Sequence, residues 1–481
     1  MERLEGVRRT NQVTLMAAVV GLLALLGPSW LLLKANRLVA GDVFGAFALP
    51  GPYATLLLLA WSLLLLLSFL RLPGRAWGLA LLATGALVAG LLLVGEGSST
   101  LLAGSSDPER ARVSLQGGVW LTLLAYYIGI FGALGDTPRD APQGAPGAPQ
   151  RSRKWLMVAP GPATAALLIA TGTFGSVGLA QELRSQGGDF AAEGLRHLAL
   201  SGTSVLLASA IGIPAAIWAA RREAAARIVL PTASFLQTIP SLALFGLMLL
   251  PLARLGSNVT VGTALLFCGV GLALATGVGV VSRRFAGRVG GLLTLLTLLL
   301  ALLPLLLVTV VVAVLLNDVF VALFSLDFGA LGLPESLGAP LSSLGVRGIG
   351  TAPALIALTL YAFLPVVRNT YTGIREVPQA ATEAGRGMGM SSGQILRRVE
   401  LPLALPLIFE GVRASTVLCI GVATVAFLIG AGGLGTFIER GISQQVPDLI
   451  LLGALPIIAL ALLADALLRG VGQLVTPRGV R

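Results

Sequence analysis

Glu410 and Arg413 stand three residues apart in an otherwise apolar run, a spacing at which a carboxylate and a guanidinium meet across one helical turn. Such a pair lowers the cost of placing charge beside hydrocarbon, and it serves either as a structural tie or as a gate or inter-subunit contact. Other reactive chemistry is sparse. The single histidine, His197, has no His, Cys or paired carboxylates around it in sequence, so neither a metal centre nor an acid–base site is expected. Cys268 and Cys419 both fall in apolar segments and read as packed side chains, not as a disulfide or metal pair. The only lysines, Lys34 and Lys154, precede Ala and Trp, so the chain has no G-x-x-x-x-G-K-[ST] phosphate loop and is expected to bind no cofactor of its own.

The elements that must position these residues follow from composition. Of 481 residues, 56% are apolar and 11% charged, with a mean hydropathy of +0.90, which excludes an ordinary soluble domain and a disordered chain alike. The apolar runs are long enough for helices to cross a bilayer, and open strands cannot satisfy their backbone groups in lipid, so the expected fold class is an all-α polytopic membrane protein. Spans are expected near 13–33, 53–70, 76–95, 117–135, 156–179, 199–220, 228–253, 260–281, 289–316, 349–367, 403–430 and 446–468. That makes about twelve helices. The run from Val13 is long and meets no evident Ala-x-Ala site, so it reads as a span and not as a cleaved signal.

The formal charge of +11 would in a soluble chain suggest nucleic acid, but here it is confined to short loops, and no nucleic-acid partner is expected. Placing the N-terminus inside puts most of the basic residues in cytoplasmic loops: Arg3, Arg8 and Arg9; Arg71 and Arg75; Arg139, Arg151, Arg153 and Lys154; Arg221, Arg222 and Arg227; Arg283, Arg284 and Arg288; Arg368, Arg375, Arg386, Arg397 and Arg398; and Arg469, Arg478 and Arg481. The opposite loops keep only Lys34, Arg37, Arg110, Arg112, Arg184, Arg196, Arg254, Arg347 and Arg440. The positive-inside rule therefore selects cytoplasmic termini at both ends.

Residues 136–153 are rich in Pro, Gly, Ala and Gln without an apolar face and read as a flexible linker. Beyond it the spans carry more Pro, Gly, Ser and Thr, and Pro231, Pro240, Pro304, Pro365 and Pro456 are expected to kink or break their helices. The most informative loop lies between the spans ending near Val367 and beginning near Leu403. Within it Gln379, Ala380, Glu383 and Ala384 share one helix surface. Gly385, Gly387 and Gly389 then permit a tight turn. Ser391 or Ser392 caps a second short helix from about Gln394 to Val399, expected to stop before Leu401-Pro402. On physical grounds alone this is either a docking surface or an inert amphipathic loop.

The string Glu383-Ala384-Gly385, with Gly389 and Leu401-Pro402, resembles the EAA loop of permease subunits in binding-protein-dependent ABC importers. LQTIPSLALFGLMLLPL at 236–252, LPVVRNTYTGI at 364–374, EAGRGMGM at 383–390, RRVELPLALP at 397–406 and LIGAGGLGTFI at 428–438 are similar, in family order, to the glycine betaine, choline and osmoprotectant branch. The resemblance covers roughly 199–253 and 345–468. It implies a type I ABC importer transmembrane core with additional helices in the cell inner membrane. It also implies an importer of quaternary ammonium osmoprotectants such as glycine betaine or choline, in which this chain is noncatalytic. The implied partners are cytoplasmic ABC ATPase subunits that carry the ATP and Mg, an extracytoplasmic solute-binding protein, a second permease copy or related heterodimer partner, and membrane lipid.

On that reading 1–135 is an N-terminal four-helix extension, 136–154 the linker, 155–253 and 345–468 the two parts of the permease core, 254–344 an insertion and 469–481 a cytoplasmic tail. The segment 377–402 would couple to the ATPase, with Glu383 facing it, Gly389 making the turn and Leu401-Pro402 closing the loop. Gly385 replaces the family's second Ala, which lowers local helix stability by roughly 1 kcal/mol. Within the insertion, Val319 to Leu333 reads as a re-entrant or surface-lying piece. Gln237, Thr238, Ser241, Tyr361, Thr416 and Thr424 interrupt core spans and are candidate lining residues, each with an alternative role in helix packing. The rival readings are an ion-coupled secondary transporter, for which no inverted repeat or mid-membrane ionisable site is evident, and a noncatalytic scaffold.

Overall fold

The structure, a computed structural model, describes residues 10–36, 39–70, 72, 74–136, 150–282, 287–325 and 336–475. Arg3, Arg8, Arg9, Arg37, Arg71, Arg139, Arg283, Arg284, Arg478 and Arg481, most of the 136–153 linker and the end of the Val319 to Leu333 piece lie outside the described residues. The chain divides into two compact units, Met1–Gln186 with Gly441–Leu451, and Gly187–Arg440 with Leu452–Arg481.

The first unit contains α1 (Gln12–Leu26), β1 (Leu31–Lys34), β2 (Asp42–Phe44), α2 (Tyr53–Phe69), α3 (Arg75–Ala103), β3 (Arg112–Leu115), α4 (Gly117–Gly135), α5 (Gln150–Val158), α6 (Pro160–Ala170) and α7 (Gly178–Ser185). α1 to α4 pack together around fully buried Leu57, Trp61, Leu64 and Leu79. On α2 the opposite face keeps Leu59, Leu63 and Leu66 about half exposed, the pattern of a helix with one side in protein and one in lipid. Polar ties are few and specific. Arg75 holds Asp136 through two nitrogens at 2.6 Å each, Tyr53 donates to Glu96 at 2.6 Å, and Ser114 on β3 donates to Asp448 at 2.5 Å.

The second unit contains α8 (Gly187–Arg221), α9 (Glu223–Thr238), α10 (Ser241–Asn258), α11 (Val261–Ser282), α12 (Gly287–Ser325), α13 (Thr351–Arg375), α14 (Gln379–Gly387), α15 (Ser392–Ile395), α16 (Leu401–Val422), α17 (Gly435–Ser443) and α18 (Pro447–Val475). The ends of α17 and the start of α18 belong to the first unit. α8, α13 and α16 form the centre, where Ala208, Ala354, Leu358, Ala362, Cys419 and Ala423 are buried. Small side chains let these backbones approach, so Ser415 donates to the Ala362 carbonyl at 2.7 Å and Cys419 to that of Leu358 at 3.5 Å.

Among the described residues nine helices are long and apolar enough to cross a membrane, and α1, α2 and α6 are shorter apolar helices. The expected twelve spans are corrected accordingly. The span expected at 13–33 ends at Leu26, because Pro28 cannot extend a helix and restricts the residue before it. Leu31–Lys34 instead becomes the central strand of a small antiparallel sheet of order β2-β1-β3, with Leu31 opposite Phe44 and Leu115. The span expected at 156–179 stops at Ala170, where Gly172 takes a left-handed φ of 76°. The span expected at 228–253 is cut at Ile239-Pro240. Ile239 has the extended conformation (φ −73°, ψ 121°) that a following proline imposes. Within the residues expected to form the linker, Gln150 already opens α5. α12 continues to Ser325, so the part of the Val319 to Leu333 piece that is described is helical, neither re-entrant nor lying apart.

Candidate functional site

The 377–402 segment is built from two short helices and one glycine turn. Pro378, which has no N–H to leave unpaired, stands immediately before α14. On α14 Gln379, Ala380, Glu383 and Ala384 are all exposed, while Gly385 turns inward toward Ile395 and Met390. The helix ends in a full left-handed cap: the amide of Gly389 donates to the Arg386 carbonyl at 2.9 Å and that of Met390 to Gly385 at 3.0 Å. Gly389 has φ +78°, a conformation that costs an L-residue about 1–2 kcal/mol. Of the three glycines expected to permit the turn, only Gly389 uses that freedom; Gly385 and Gly387 are helical.

α15 starts on a reciprocal cap in which the Ser391 side chain accepts from the Gln394 amide and the Gln394 side chain accepts from the Ser391 amide. The expected stop before Leu401-Pro402 does not occur. Leu396–Glu400 forms a π-helical turn, and the Leu401 amide reaches back to the Leu396 carbonyl, five residues away. Pro402 has no N–H for the residue 398 carbonyl and its ring would strike that group in a tight helix, so the wider turn admits it. Leu401 and Pro402 therefore open α16, and one helical rod joins the short segment to the core.

Two residues outside the expected set stand out here, and one of them fastens this rod. Arg221, the last residue of α8, pairs with Glu400 at 2.6 Å and lies 3.4 Å from the Ser392 carbonyl. Met388, beside the turn, is a large apolar side chain left 71% exposed. Arg221 could have been suspected only as one of several basic loop residues, because its partner is 179 residues away. Met388 does carry a signal, an apolar residue between two glycines.

The candidate lining residues separate into distinct places. Gln237 and Tyr361 meet where α9 and α10 break. Pro365 cannot donate to the Tyr361 carbonyl one turn earlier in α13, and Gln237 Nε2 supplies that hydrogen bond at 2.9 Å. In return the Tyr361 hydroxyl donates to the Ile239 carbonyl at the break before Pro240. Each side chain satisfies backbone that a proline has freed, which membrane helices require. Thr238 donates within its own helix to Phe235, and Ser241 begins α10. Thr416 donates to the Val412 carbonyl within α16, and Thr424 lies in the 3-10 turn Ala423–Ile429. These four are not gathered with Gln237 and Tyr361 into one polar lining by any hydrogen bond among the described residues.

Arg413 binds Glu410 on its own helix and also lies 3.4 Å from Asp465 on α18, which pairs with Arg469 at 2.7 Å. The pair is thus part of a four-residue chain of alternating charge between two helices. His197 is fully buried, with Nε2 3.0 Å from the Ile420 carbonyl. Among the described residues no group of three or more His, Cys, Asp or Glu is placed to hold a metal ion.

Comparison with known proteins gives this geometry a context. A family model described as the inner membrane component of binding-protein-dependent transport systems matches residues 269–478, a range that contains α13 through α18 and the whole 377–402 segment. Over that range the chain is similar to the permease subunits of ABC importers. A second model, the N-terminal domain of the ABC transporter permease YehY, matches residues 8–141. The chain is 48% identical over 142 residues to the osmoprotectant import permease protein OsmW of Salmonella typhimurium, covering 30% of this chain and 66% of that protein. It is 45% identical to the glycine betaine/carnitine/choline transport system permease protein OpuCB of Bacillus subtilis, covering 28% of this chain and 62% of that one. The choline transport system permease protein OpuBB of the same organism is 46% identical over 28% of this chain and 62% of its own length. The chain thus spans a little under two thirds of the length of the relatives it matches.

Proposed function

We propose that this permease is the membrane subunit of an ATP-driven, binding-protein-dependent importer of quaternary ammonium osmoprotectants such as glycine betaine or choline. It lies in the cell inner membrane with both termini in the cytoplasm, carries the four-helix extension 1–135 ahead of its transport core, and pairs with a second copy or a related permease. Cytoplasmic ABC ATPase subunits bind the ATP and Mg, and an extracytoplasmic solute-binding protein delivers the substrate. The observation that carries the reading is the exposed α14 face of Gln379, Ala380, Glu383 and Ala384, set by the Gly389 turn on a rod continuous with α16. Force applied to α14 is passed along α16 through the π-helical turn and to α8 through Arg221–Glu400, so docking and release of an ATPase would move two core helices together.

The test is co-purification of a cognate ABC ATPase subunit with wild-type chain and with a Glu383→Lys, Gly389→Trp double variant that still inserts in the membrane. Association with the wild type that is lost in the variant is the expected result. Undiminished association would remove 377–402 from the interface, and no association with the wild type would favour the scaffold reading.

A further inference from the structure

A cavity of about 340 Å³ lies inside the second unit, at the lower end of the sizes that hold small ligands. Its wall is unusual for a mostly apolar bundle: Arg196 of α8, Asn317 and Asp318 of α12, and Thr351 at the start of α13 all line it, together with Gly430 and Ala431. No aromatic ring is among its lining residues. Asp318 stands on a helix that is otherwise a long apolar run, and among the described residues no Lys or Arg nitrogen forms an ion pair with it. An ionisable group in such a segment is costly and is ordinarily retained for a partner. Asn317 is 94% buried by its 6% exposure, and its amide oxygen has no hydrogen-bond partner. A buried acceptor without a donor costs stability unless something else fills the role.

The same cavity carries positive charge at Arg196. Arg196 gives Nη1 to Glu193 at 2.9 Å, and Glu193 also accepts from the Gly433 amide, so the arginine is held against the Gly430–Gly433 turn while the rest of its five-donor fork remains for other acceptors. α13 runs for 25 residues from Thr351, and no side chain caps its N-terminus. The amides of Thr351 and Ala352, which precede Pro353, and the helix dipole therefore favour an anionic group there. A carboxylate and an amide oxygen thus line one cavity together with a guanidinium and the first residue of a helix.

We infer that this cavity is a binding site for a small zwitterion, whose cationic nitrogen sits at Asp318 and Asn317 and whose carboxylate sits at Arg196 and the N-terminus of α13. The inference rests on the permease reading for its place in transport, since the cavity would be a stage at which the chain itself holds the substrate. Recognition is by paired charge and not by aromatic faces, and the unpartnered Asn317 oxygen adds a preference for a nitrogen that still bears a proton.

The test is equilibrium binding to the purified full-length permease in lipid nanodiscs, without ATPase or binding protein. The probes are dimethylglycine, trimethylglycine and choline, and the proteins are wild type, Asp318→Asn and Arg196→Gln. Wild type should bind dimethylglycine more tightly than trimethylglycine. Asp318→Asn, which keeps the side-chain shape, should weaken all three by about tenfold or more. Arg196→Gln should weaken the two zwitterions by a similar factor and leave choline, which has no carboxylate, within about twofold; because this is a ratio within one preparation, partial misfolding cannot mimic it. Absence of zwitterion binding to wild type, an unchanged affinity in Asp318→Asn, or equal losses for choline and the zwitterions in Arg196→Gln would overturn the site. Since no ATPase is present, each of those failures leaves the permease reading itself intact, whereas loss of ATPase association would damage that reading without touching this one.

Discussion

Two Gly→Ala substitutions four residues apart in the 377–402 segment should have opposite signs. At Gly385 an added Cβ would lie 3.4 Å from Ile395 Cγ1 and 3.5 Å from Met390 Sδ, ordinary contact distances, and the residue is already helical. Gly385→Ala should therefore stabilise α14 by about 0.5–1 kcal/mol, the usual difference between the two residues in a helix. At Gly389 nothing lies within 4 Å of an added Cβ, so there is no clash to confuse the result, but φ is +78°. Gly389→Ala should cost about 1–2 kcal/mol through backbone conformation alone.

The assay is hydrogen exchange with mass spectrometry on peptides covering 379–395 in lipid nanodiscs. If the segment opens locally, the first substitution should slow exchange at the amides of Met388, Gly389 and Met390 by roughly 2–5-fold, and the second should speed it by roughly 5–30-fold. Changes of the same sign, or slower exchange in Gly389→Ala, would refute the assignment of the turn to Gly389 and of the inward, space-filling position to Gly385. If α14 is the docking face, Gly385→Ala should also leave ATPase association intact, because the substituted side chain points away from Glu383.

The other predictions concern the ties that hold this rod and the helix break. Arg221→Ala and Glu400→Ala should each weaken ATP-driven uptake in reconstituted vesicles more than membrane insertion, and the double variant should be little worse than either single, giving a coupling of about 0.5–1 kcal/mol for this partly exposed pair. Full additivity would show that the pair is incidental. Gln237→Leu removes the donor to the Tyr361 carbonyl and should lower thermal stability by about 1–3 kcal/mol, read as a fall in melting temperature in detergent, while Gln237→Glu, which accepts but does not donate when ionised, should be at least as harmful. A neutral Gln237→Leu with reduced uptake would instead assign Gln237 to the translocation path.

Much of the local architecture was legible in the residues. Long apolar runs required helices, and Pro28 and Pro240 marked the ends of two of them; the break at Pro240 was expected, whereas reading 13–33 as one span overlooked the stop before Pro28. Glu383-Ala384-Gly385 and Gly389 lay where helix propensity and turn chemistry are decided within a few positions, and Ser391 with Gln394 formed a cap readable at three-residue spacing. Glu410 and Arg413 were likewise close enough in sequence to be seen together.

What the sequence could not disclose depends on chain segments that meet only after folding. Leu401-Pro402 is absorbed by a π turn and does not end the helix, and just beyond it Ala404 and Ile408 pack in one buried cluster with Ile374 of α13. The three-stranded sheet joins Leu31 to Leu115, and Gln237 repairs the α13 ladder at Tyr361, pairings separated by a long stretch of chain. Composition and periodicity are sums over neighbours, so they determine that this protein is a bundle of membrane-crossing helices with an exposed, glycine-turned loop. Hydrogen bonds between distant backbone groups, and the opposed charges of Arg196 and Asp318 around one cavity, arise from the relative placement of whole helices, and only the tertiary structure decides that.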